Sequence, residues 1–142
     1  VTLEHELATV NHYLSIQRVR FEDRLHVKID CDGAHRALVP NFILQPLVEN
    51  AIEHGIARTA GPGTIEISAR VHEQQLIVEV RDDGRAQGSG RSGVTHGIGL
   101  SNTRARLRAL YGADAVIEAG RREDGGYAAV IRVPLRFAEN TE

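Results

Sequence analysis

The chain has 142 residues, of which 42% are hydrophobic, so it can form one domain with a proper core. Its net charge of −2 argues against nucleic-acid and membrane-surface binders, because both classes usually carry an excess of basic residues. The single cysteine excludes an intrachain disulfide and is typical of a reducing compartment, and no apolar run is long enough to cross a bilayer.

A helix is predicted over residues 3–21, where apolar side chains recur at alternating intervals of four and three. The stripe consists of Leu3, Leu7, Val10, Leu14, Gln17 and Phe21. This spacing fits two structures: a helix packed on its own domain, or the end of a longer dimerising or coupling helix. Residues 24–30 then alternate apolar and polar side chains, as a half-buried strand does.

A second helix is predicted over residues 41–55, with Gly55 as its stop. Pro46 lies inside this segment, so the helix either kinks there or begins there. The apolar face of the helix consists of Leu44, Leu47, Val48, Ala51 and Ile52.

Two polar side chains lie at one edge of that apolar face. Asn50 and His54 are four residues apart and therefore neighbours on a helix, with Glu53 beside them. An amide oxygen packs poorly but suits a cavity wall, where it is a ligand type that fits Mg²⁺. The alternative is an ordinary amphipathic helix whose acidic side, with Glu49 and Glu53, faces water.

Residues 64–71 and 75–80 alternate in the manner of strands, and the short connection between them predicts an antiparallel hairpin. The second strand runs into Asp82 and Asp83, followed directly by Gly84. A carboxylate at a strand end can point into a cleft and accept the exocyclic amino group of adenine, a pairing that discriminates between bases. The alternative is a turn in which aspartate and glycine occupy their usual places.

The segment 84–97 is rich in glycine and poor in apolar side chains, which predicts a flexible loop able to act as a lid over a nucleotide. It leads into a helix predicted over 99–111, with the stripe Leu100, Thr103, Leu107 and Leu110. Glycines at such a helix start let backbone N–H groups approach an anion. The pattern is neither a Walker A loop nor a dinucleotide-binding fingerprint, and a plain linker before a helix is the alternative.

Two further strands are predicted over residues 115–119 and 127–133, and the tail after Phe137 is predicted to fray. About three helices and about five strands, several of them in hairpins, indicate an α+β fold. We expect a two-layer α/β sandwich in which helices cover one face of a mixed, mostly antiparallel sheet.

The order and spacing of the three motifs resemble the ATP-binding domain of the GHKL superfamily, which has the Bergerat fold and includes histidine kinases, gyrase, Hsp90 and MutL. Residues 47–55 are similar to the N box, Asp82-Asp83-Gly84 to the G1 box, and Gly97-Ile98-Gly99-Leu100 to the G2 box. Within this superfamily, the amino-acid sequence of the motifs most resembles that of LytS/YehU-type sensor histidine kinases. That closer likeness is carried by residues 13–17, Arg20-Phe21, Pro40, residues 44–52, His54-Gly55, residues 97–103 and Arg106-Leu107.

The resemblance implies a role for each motif residue. Asn50 would coordinate the Mg²⁺ that bridges the ATP phosphates, and Asp82 would bind the adenine amino group with Gly84 beside it. Glu49 would orient water or metal, and His54 would face the phosphates. Backbone N–H groups would reach the phosphates from Gly97, Ile98, Gly99 and Leu100.

Three positions depart from the family pattern. Glu53 stands where many relatives carry lysine, so a positive charge near the phosphates would have to come from Arg58 or Arg91. Ala86 stands where a second G1-box glycine is frequent. Pro46 lies where gyrase-type ATPases place a catalytic glutamate, which argues against water-activated hydrolysis and agrees with a kinase.

By this resemblance, residues 1–22 are the end of a dimerisation or linker helix, 23–138 are the ATP-binding catalytic domain, and 139–142 are a frayed tail. The chain begins with valine and has no signal-peptide pattern, so we expect a piece of a longer protein. The domain would be cytoplasmic, in a bacterial protein whose anchoring in the inner or plasma membrane is one option.

The intact protein would be a two-component sensor histidine kinase. It would bind Mg-ATP and donate the γ-phosphoryl to a histidine upstream of residue 1, on helices that form a homodimer. A response regulator would then receive the phosphoryl group. His5 and His12 lack the sequence context of that acceptor. The alternatives are a GHKL module of another type, an anti-sigma-factor serine kinase or an ATPase, and a degenerate module that binds only a nucleotide or a partner.

Overall fold

The computed structural model describes residues 1–58, 61–83, 97–122 and 126–137, and only the backbone for 97–99. Residues 84–96 of the predicted loop 84–97, with Gly84, Ala86 and Arg91, and the tail 138–142 lie outside the described residues, and Gly97 belongs to α3. In chain order the helices and strands are α1 Leu3–Phe21, β1 Leu25–Asp30, α2 Gln45–His54, β2 Gly63–His72, β3 Gln75–Asp82, α3 Gly97–Tyr111, β4 Val116–Arg121 and β5 Tyr127–Pro134.

The five strands form one mixed sheet in the order β1-β2-β3-β5-β4. The β1–β2 pair is parallel, and the other three pairs are antiparallel. The predicted hairpin of β2 and β3 is present, with Ile65 opposite Asp82 and His72 opposite Gln75. The prediction of an α+β fold with a mixed, mostly antiparallel sheet is confirmed.

The sheet has one apolar and one polar face because side chains alternate along each strand. The apolar face contributes Ile65, Ile67, Ala69, Leu76, Val78 and Val80 to the core. On the polar face the guanidinium of Arg81 lies 2.6 Å from the carboxylate of Glu66 on the neighbouring strand. The helices therefore cover one side of the sheet, and charged side chains line the other.

Helix α1 packs on its own domain. Thr2 caps its start, since the Thr2 hydroxyl accepts the N–H of His5 at 3.1 Å. Five members of the predicted stripe are buried and join the common core, namely Leu3, Leu7, Val10, Leu14 and Phe21. The continuation of this helix into a longer dimerisation helix stays a prediction.

The element bounds differ from the sequence prediction in a few places. Helix α2 begins at Gln45 with Pro46 in its first turn, where a missing N–H costs no helical hydrogen bond, so the helix starts there and does not kink. The prediction that Leu110 belongs to the buried stripe of α3 is wrong, because its side chain is 58% exposed. Tyr111, four residues after Leu107, packs against the core in its place.

None of the helices in the described part of the chain is both long and apolar enough to span a membrane.

Candidate functional site

The candidate site centres on the carboxylate of Asp82, the last residue of β3, which is only 4% exposed. A Cβ atom placed on Gly55 would lie 2.7 Å from the Asp82 Cγ and 2.8 Å from its Oδ1. A Cβ atom on Gly126 would collide with the Asp82 carbonyl oxygen. The two glycines therefore let the end of α2 and the start of β5 close around Asp82, and the first two sequence motifs meet there.

The neighbouring acidic residue, Asp83, has a different environment. It is exposed, its Oδ1 accepts the N–H of Thr64 at 2.7 Å, and its own N–H donates to the Thr64 carbonyl at 3.2 Å. These bonds tie the turn to β2 and leave Asp82 as the carboxylate that faces the helix layer. The structure thus distinguishes two aspartates that the sequence presents side by side.

Helix α2 presents Asn50 at the edge of its buried face, as predicted, with the side chain half-buried. Glu49 lies on the exposed side, where its carboxylate accepts a hydrogen bond from the Gln45 amide at 3.0 Å. The two adjacent residues therefore face different surroundings, and Asn50 is the one that borders the core.

His54 is the last residue of α2, directly before Gly55. Its Nδ1 is buried and has no hydrogen-bond partner among the described residues. Burial lowers the pKa of the imidazole from its ordinary 6.5, the nearby Arg58 guanidinium lowers it further, and Glu53 acts in the opposite direction. The lowered pKa favours the neutral ring, and the buried Nδ1 is a polar atom that a ligand could satisfy.

Glu53, one of the three departures from the family pattern, pairs with helix α1. Its carboxylate lies 2.9 Å from the Arg20 guanidinium of α1, and both side chains are about half exposed, at 50% and 47%. The side chain thus pairs with α1. Arg58, one of the two arginines that could supply a positive charge near the phosphates, lies close enough to His54 to influence its pKa.

The third motif forms the first turn of α3, which packs against α2. Leu100 and Thr103 are buried, so they fix this end of the helix on the core. The backbone N–H groups of the first turn have no partners within the helix, and the positive end of the helix dipole lies there. Residues 97–100 therefore offer an anion-binding terminus next to the helix that carries Asn50.

Two residues near the site were not predicted from the sequence. Glu6 of α1 is 1% exposed, and its carboxylate accepts backbone N–H groups of the segment before α2. Arg106 of α3 donates to two carbonyls of the same segment. The signal for Glu6 was its spacing: it lies three residues after Leu3 and four before Val10, on the buried stripe, where a charge requires a partner.

Two cavities of about 190 and 310 Å³ lie around Lys28, Glu66 and Arg81 on the polar side of the sheet. Two of the residues that line both cavities, Arg81 and Glu66, form an ion pair with each other. Asp82 and Asp83 also line the smaller cavity, but the Asp82 carboxylate itself packs beside Gly55 on the helix side, so we place the candidate site there.

The donor set fits a magnesium ion that is bound together with phosphates. Among the described residues no cluster of three or more histidine, cysteine, aspartate or glutamate side chains is able to hold a metal by itself. An ion at Asn50 would take one neutral oxygen from the protein and its remaining ligands from phosphates and water, which is the common pattern for Mg²⁺.

The described residues thus include a buried carboxylate in a glycine-lined slot, a half-buried amide at the edge of α2 and the N-terminus of α3. Residues 37–137 match the family model described as histidine kinase-, DNA gyrase B- and HSP90-like ATPase, so the chain belongs to this family.

Several curated relatives are named as sensor kinases or sensor proteins. The chain is 35% identical to the sensor histidine kinase YesM of Bacillus subtilis over 96% of its own length and 24% of that protein. It is 36% identical to the sensor histidine kinase BtsS of Escherichia coli, with the same coverage, and 33% identical to the sensor protein LytS of Staphylococcus saprophyticus over 83% of this chain and 22% of that protein. The chain therefore spans about a quarter of the length of these relatives.

The catalytic domain of the histidine kinase ThkA has the same fold, with a TM-score of 0.68 at 18% identity over 94% of both chains. The resemblance to LytS/YehU-type kinases is confirmed: the chain is an ATPase-family domain that is similar over most of its length to part of these sensor kinases.

Proposed function

We propose that this chain binds Mg-ATP between α2, the end of β3 and the start of α3, and that in the intact sensor kinase it donates the γ-phosphoryl to a histidine outside residues 1–142. The observation that carries the proposal is the buried Asp82 carboxylate at the end of β3, against which Gly55 packs so closely that a side chain there would collide with it. A carboxylate has several lone pairs, so Asp82 can accept the exocyclic amino group of adenine in addition to its contacts within the chain.

Asp82 selects the base. Its carboxylate accepts from the adenine amino group, whereas guanine presents a carbonyl oxygen at the corresponding ring position, and two acceptors would then face each other. By the family resemblance, Gly84, two residues later in the sequence, belongs to the same adenine site.

The phosphates lie between α2 and the start of α3. Asn50 gives its amide oxygen to the Mg²⁺, which neutralises phosphate charge when bound. His54, neutral at pH 7, faces the phosphates, and Glu49 orients water or metal. Backbone N–H groups hold the phosphate oxygens from Gly97, Ile98, Gly99 and Leu100.

Transfer of the γ-phosphoryl needs mainly positioning and charge neutralisation, and the groups above supply both. Pro46, about one turn before Asn50, gives α2 no carboxylate there that could activate water. His5 and His12 are exposed on α1, and neither is proposed as the acceptor.

The remaining assignments concern the intact protein. We propose that residues 1–22 end a dimerisation or linker helix of a homodimer and that 23–138 are the catalytic domain. The phosphoryl group then passes to an aspartate of a response regulator, on the cytoplasmic side of a bacterial membrane.

Calorimetric titration of the chain with ATP, with adenosine, and with or without Mg²⁺ tests the proposal. We expect Asn50→Ala to remove the effect of Mg²⁺ on ATP affinity and to leave adenosine binding unchanged. Asp82→Asn should weaken both ligands by about tenfold or more, because a charge-assisted acceptor is lost. The exposed Asn11→Ala is the matched control. The proposal is wrong if ATP does not bind, or if Asn50→Ala binds Mg-ATP as the unaltered chain does.

A further inference from the structure

The segment Asn41–Leu44, which leads into α2, is held from one side by Glu6 of α1. The Glu6 carboxylate accepts the N–H of Phe42 at 3.1 Å through Oε1 and the N–H of Leu44 at 3.0 Å through Oε2. Glu6 is 1% exposed, so both of its oxygens are used away from water. Charge-assisted bonds of this kind are stronger than those between neutral groups.

Arg106 of α3 holds the same segment from the other side. Its Nη1 donates to the Phe42 carbonyl at 3.1 Å, and its Nη2 donates to the Asn41 carbonyl at 2.6 Å. The two nitrogens of one planar group thus reach two successive carbonyls, an arrangement that lysine cannot reproduce. Helices α1 and α3 are both fixed to the segment that precedes Asn50.

Glu6 and Arg106, which together we call the clamp, take the place of a local helix cap. The residue at the N-cap of α2 is Leu44, whose side chain makes no capping hydrogen bond, and Pro46 in the first turn has no N–H. The Leu44 N–H is satisfied by Glu6, whose negative charge also lies at the positive end of the α2 dipole. A residue of α1 therefore decides where α2 begins.

Phe42 has a backbone conformation that needs such support. Its φ of 61° lies in the left-handed region, which a residue with a Cβ adopts only at a cost, and its side chain is 51% exposed. Glu6 bonds its N–H, and Arg106 bonds its carbonyl. The clamp thus holds a turn that the chain would not adopt by itself.

We infer that Glu6 and Arg106 are positioning residues of the nucleotide site: they set the start of α2, and through it the distance between Asn50 and the phosphate-binding start of α3. Arg106 lies on the same helix as Gly97, so one clamp ties both halves of the Mg-phosphate site together. Asp82 belongs to β3 and lies outside the clamp. The inference rests on the proposed function, and it predicts that α1 influences metal and phosphate binding but not adenine binding.

The experiment compares Glu6→Gln and Arg106→Gln with matched controls on the same helices, the exposed Glu4→Gln and Arg108→Gln. ATP affinity is measured with Mg²⁺ and with EDTA, and adenosine affinity is measured separately. We expect each clamp variant to reduce the strengthening of ATP binding by Mg²⁺ by about tenfold, as for one charge-assisted hydrogen bond, with adenosine affinity unchanged. Arg106→Lys should restore part of the effect, since it keeps one donor.

The outcomes separate this inference from the proposed function. If the unaltered chain does not bind ATP, the proposed function is wrong and the inference falls with it. If the unaltered chain binds Mg-ATP and the clamp variants keep its dependence on Mg²⁺, only the inference is wrong, even when the variants melt at lower temperature. Arg106 is exposed, so its variant is expected to fold even if Glu6→Gln does not, and it decides the question alone.

Discussion

Adjacent residues of like chemistry have different surroundings at this site. Asp82 is buried beside Gly55, whereas Asp83 is exposed and bonded to Thr64. Asn50 borders the core, whereas Glu49 bonds Gln45 on the outer surface. In each pair a strand or helix turns successive side chains in different directions, and burial then decides which one is available to a ligand.

Gly55→Ala tests the slot at the residue scale. The added Cβ would lie within 2.8 Å of the Asp82 carboxylate oxygen, so the carboxylate or the end of α2 has to move. We expect adenosine and ATP affinity to fall by about tenfold or more, with Kd measured by calorimetry. The matched control is Gly120→Ala, where the added Cβ meets nothing within 4 Å. Unchanged affinity in Gly55→Ala would contradict the assignment of the adenine site.

His54 allows a second test at the residue scale. Burial and Arg58 lower its pKa below 6.5, and Glu53 raises it. NMR titration of the imidazole should give a higher pKa in Arg58→Gln and a lower pKa in Glu53→Gln, with no change in the exposed Arg70→Gln.

The lowered pKa of His54 also predicts how stability depends on pH. Because the folded pKa is below the unfolded one, this residue contributes stability that is present above pH 6.5 and is lost as the pH falls through the folded value. The free energy of unfolding is measured by chemical denaturation at several pH values. If its dependence on pH is the same in His54→Asn, this expectation is wrong.

At the scale of elements, α1 is complementary to the acidic side of α2. Arg20 pairs with Glu53 at 2.9 Å. Burial raises the pKa of Tyr13 to about 12, and the charges of Glu49 and Glu53 add to the effect. A cation and a neutral phenol of α1 thus face the two glutamates of α2.

Glu53→Lys tests this interface by introducing the lysine that the family resemblance leads us to expect at this position. We expect no gain in ATP affinity, because the side chain pairs with α1. The free energy of unfolding should fall by roughly 1 kcal/mol or less, since the lost ion pair is half exposed and two cations then meet. Chemical denaturation measures the change, and Arg20→Glu combined with Glu53→Lys should recover part of it. Tighter ATP binding in Glu53→Lys would show that position 53 reaches the phosphates.

At the scale of the whole molecule, the helices and sheet share one core, and the only cysteine reports on its opening. Cys31 is 3% exposed, and burial raises its thiol pKa to about 11, with Asp30 and Asp32 adding to the shift. The folded state therefore presents little thiolate to an alkylating reagent at pH 8.

We expect iodoacetamide to react with Cys31 only after the domain opens. Mg-ATP at about 100 times its Kd should then slow the reaction about a hundredfold, because the ligand stabilises the folded state by mass action. Mg²⁺ without nucleotide is the control and should have no effect. If the rate is the same with and without Mg-ATP, Cys31 is exposed by local opening at the end of β1 and not by global unfolding.

Sequence by itself determined the elements, the fold class and the three motifs, since hydrophobic periodicity and glycine placement are local properties. The alternation of β2 and β3 and the stripe of α1 each appear where predicted because burial repeats with the period of the element. Leu110 was misjudged, since two positions continue a helical stripe about equally well and only packing selects Tyr111.

Tertiary structure alone decided what lies opposite each functional residue. The pairing of Glu53 with Arg20 joins residues 33 positions apart, and the Arg106 bond to the Asn41 carbonyl spans 65 positions. The closure of Gly55 and Gly126 on Asp82 likewise brings three elements together. Such contacts depend on how helices and strands dock, which is set by the shape of the whole core, and no local pattern encodes them.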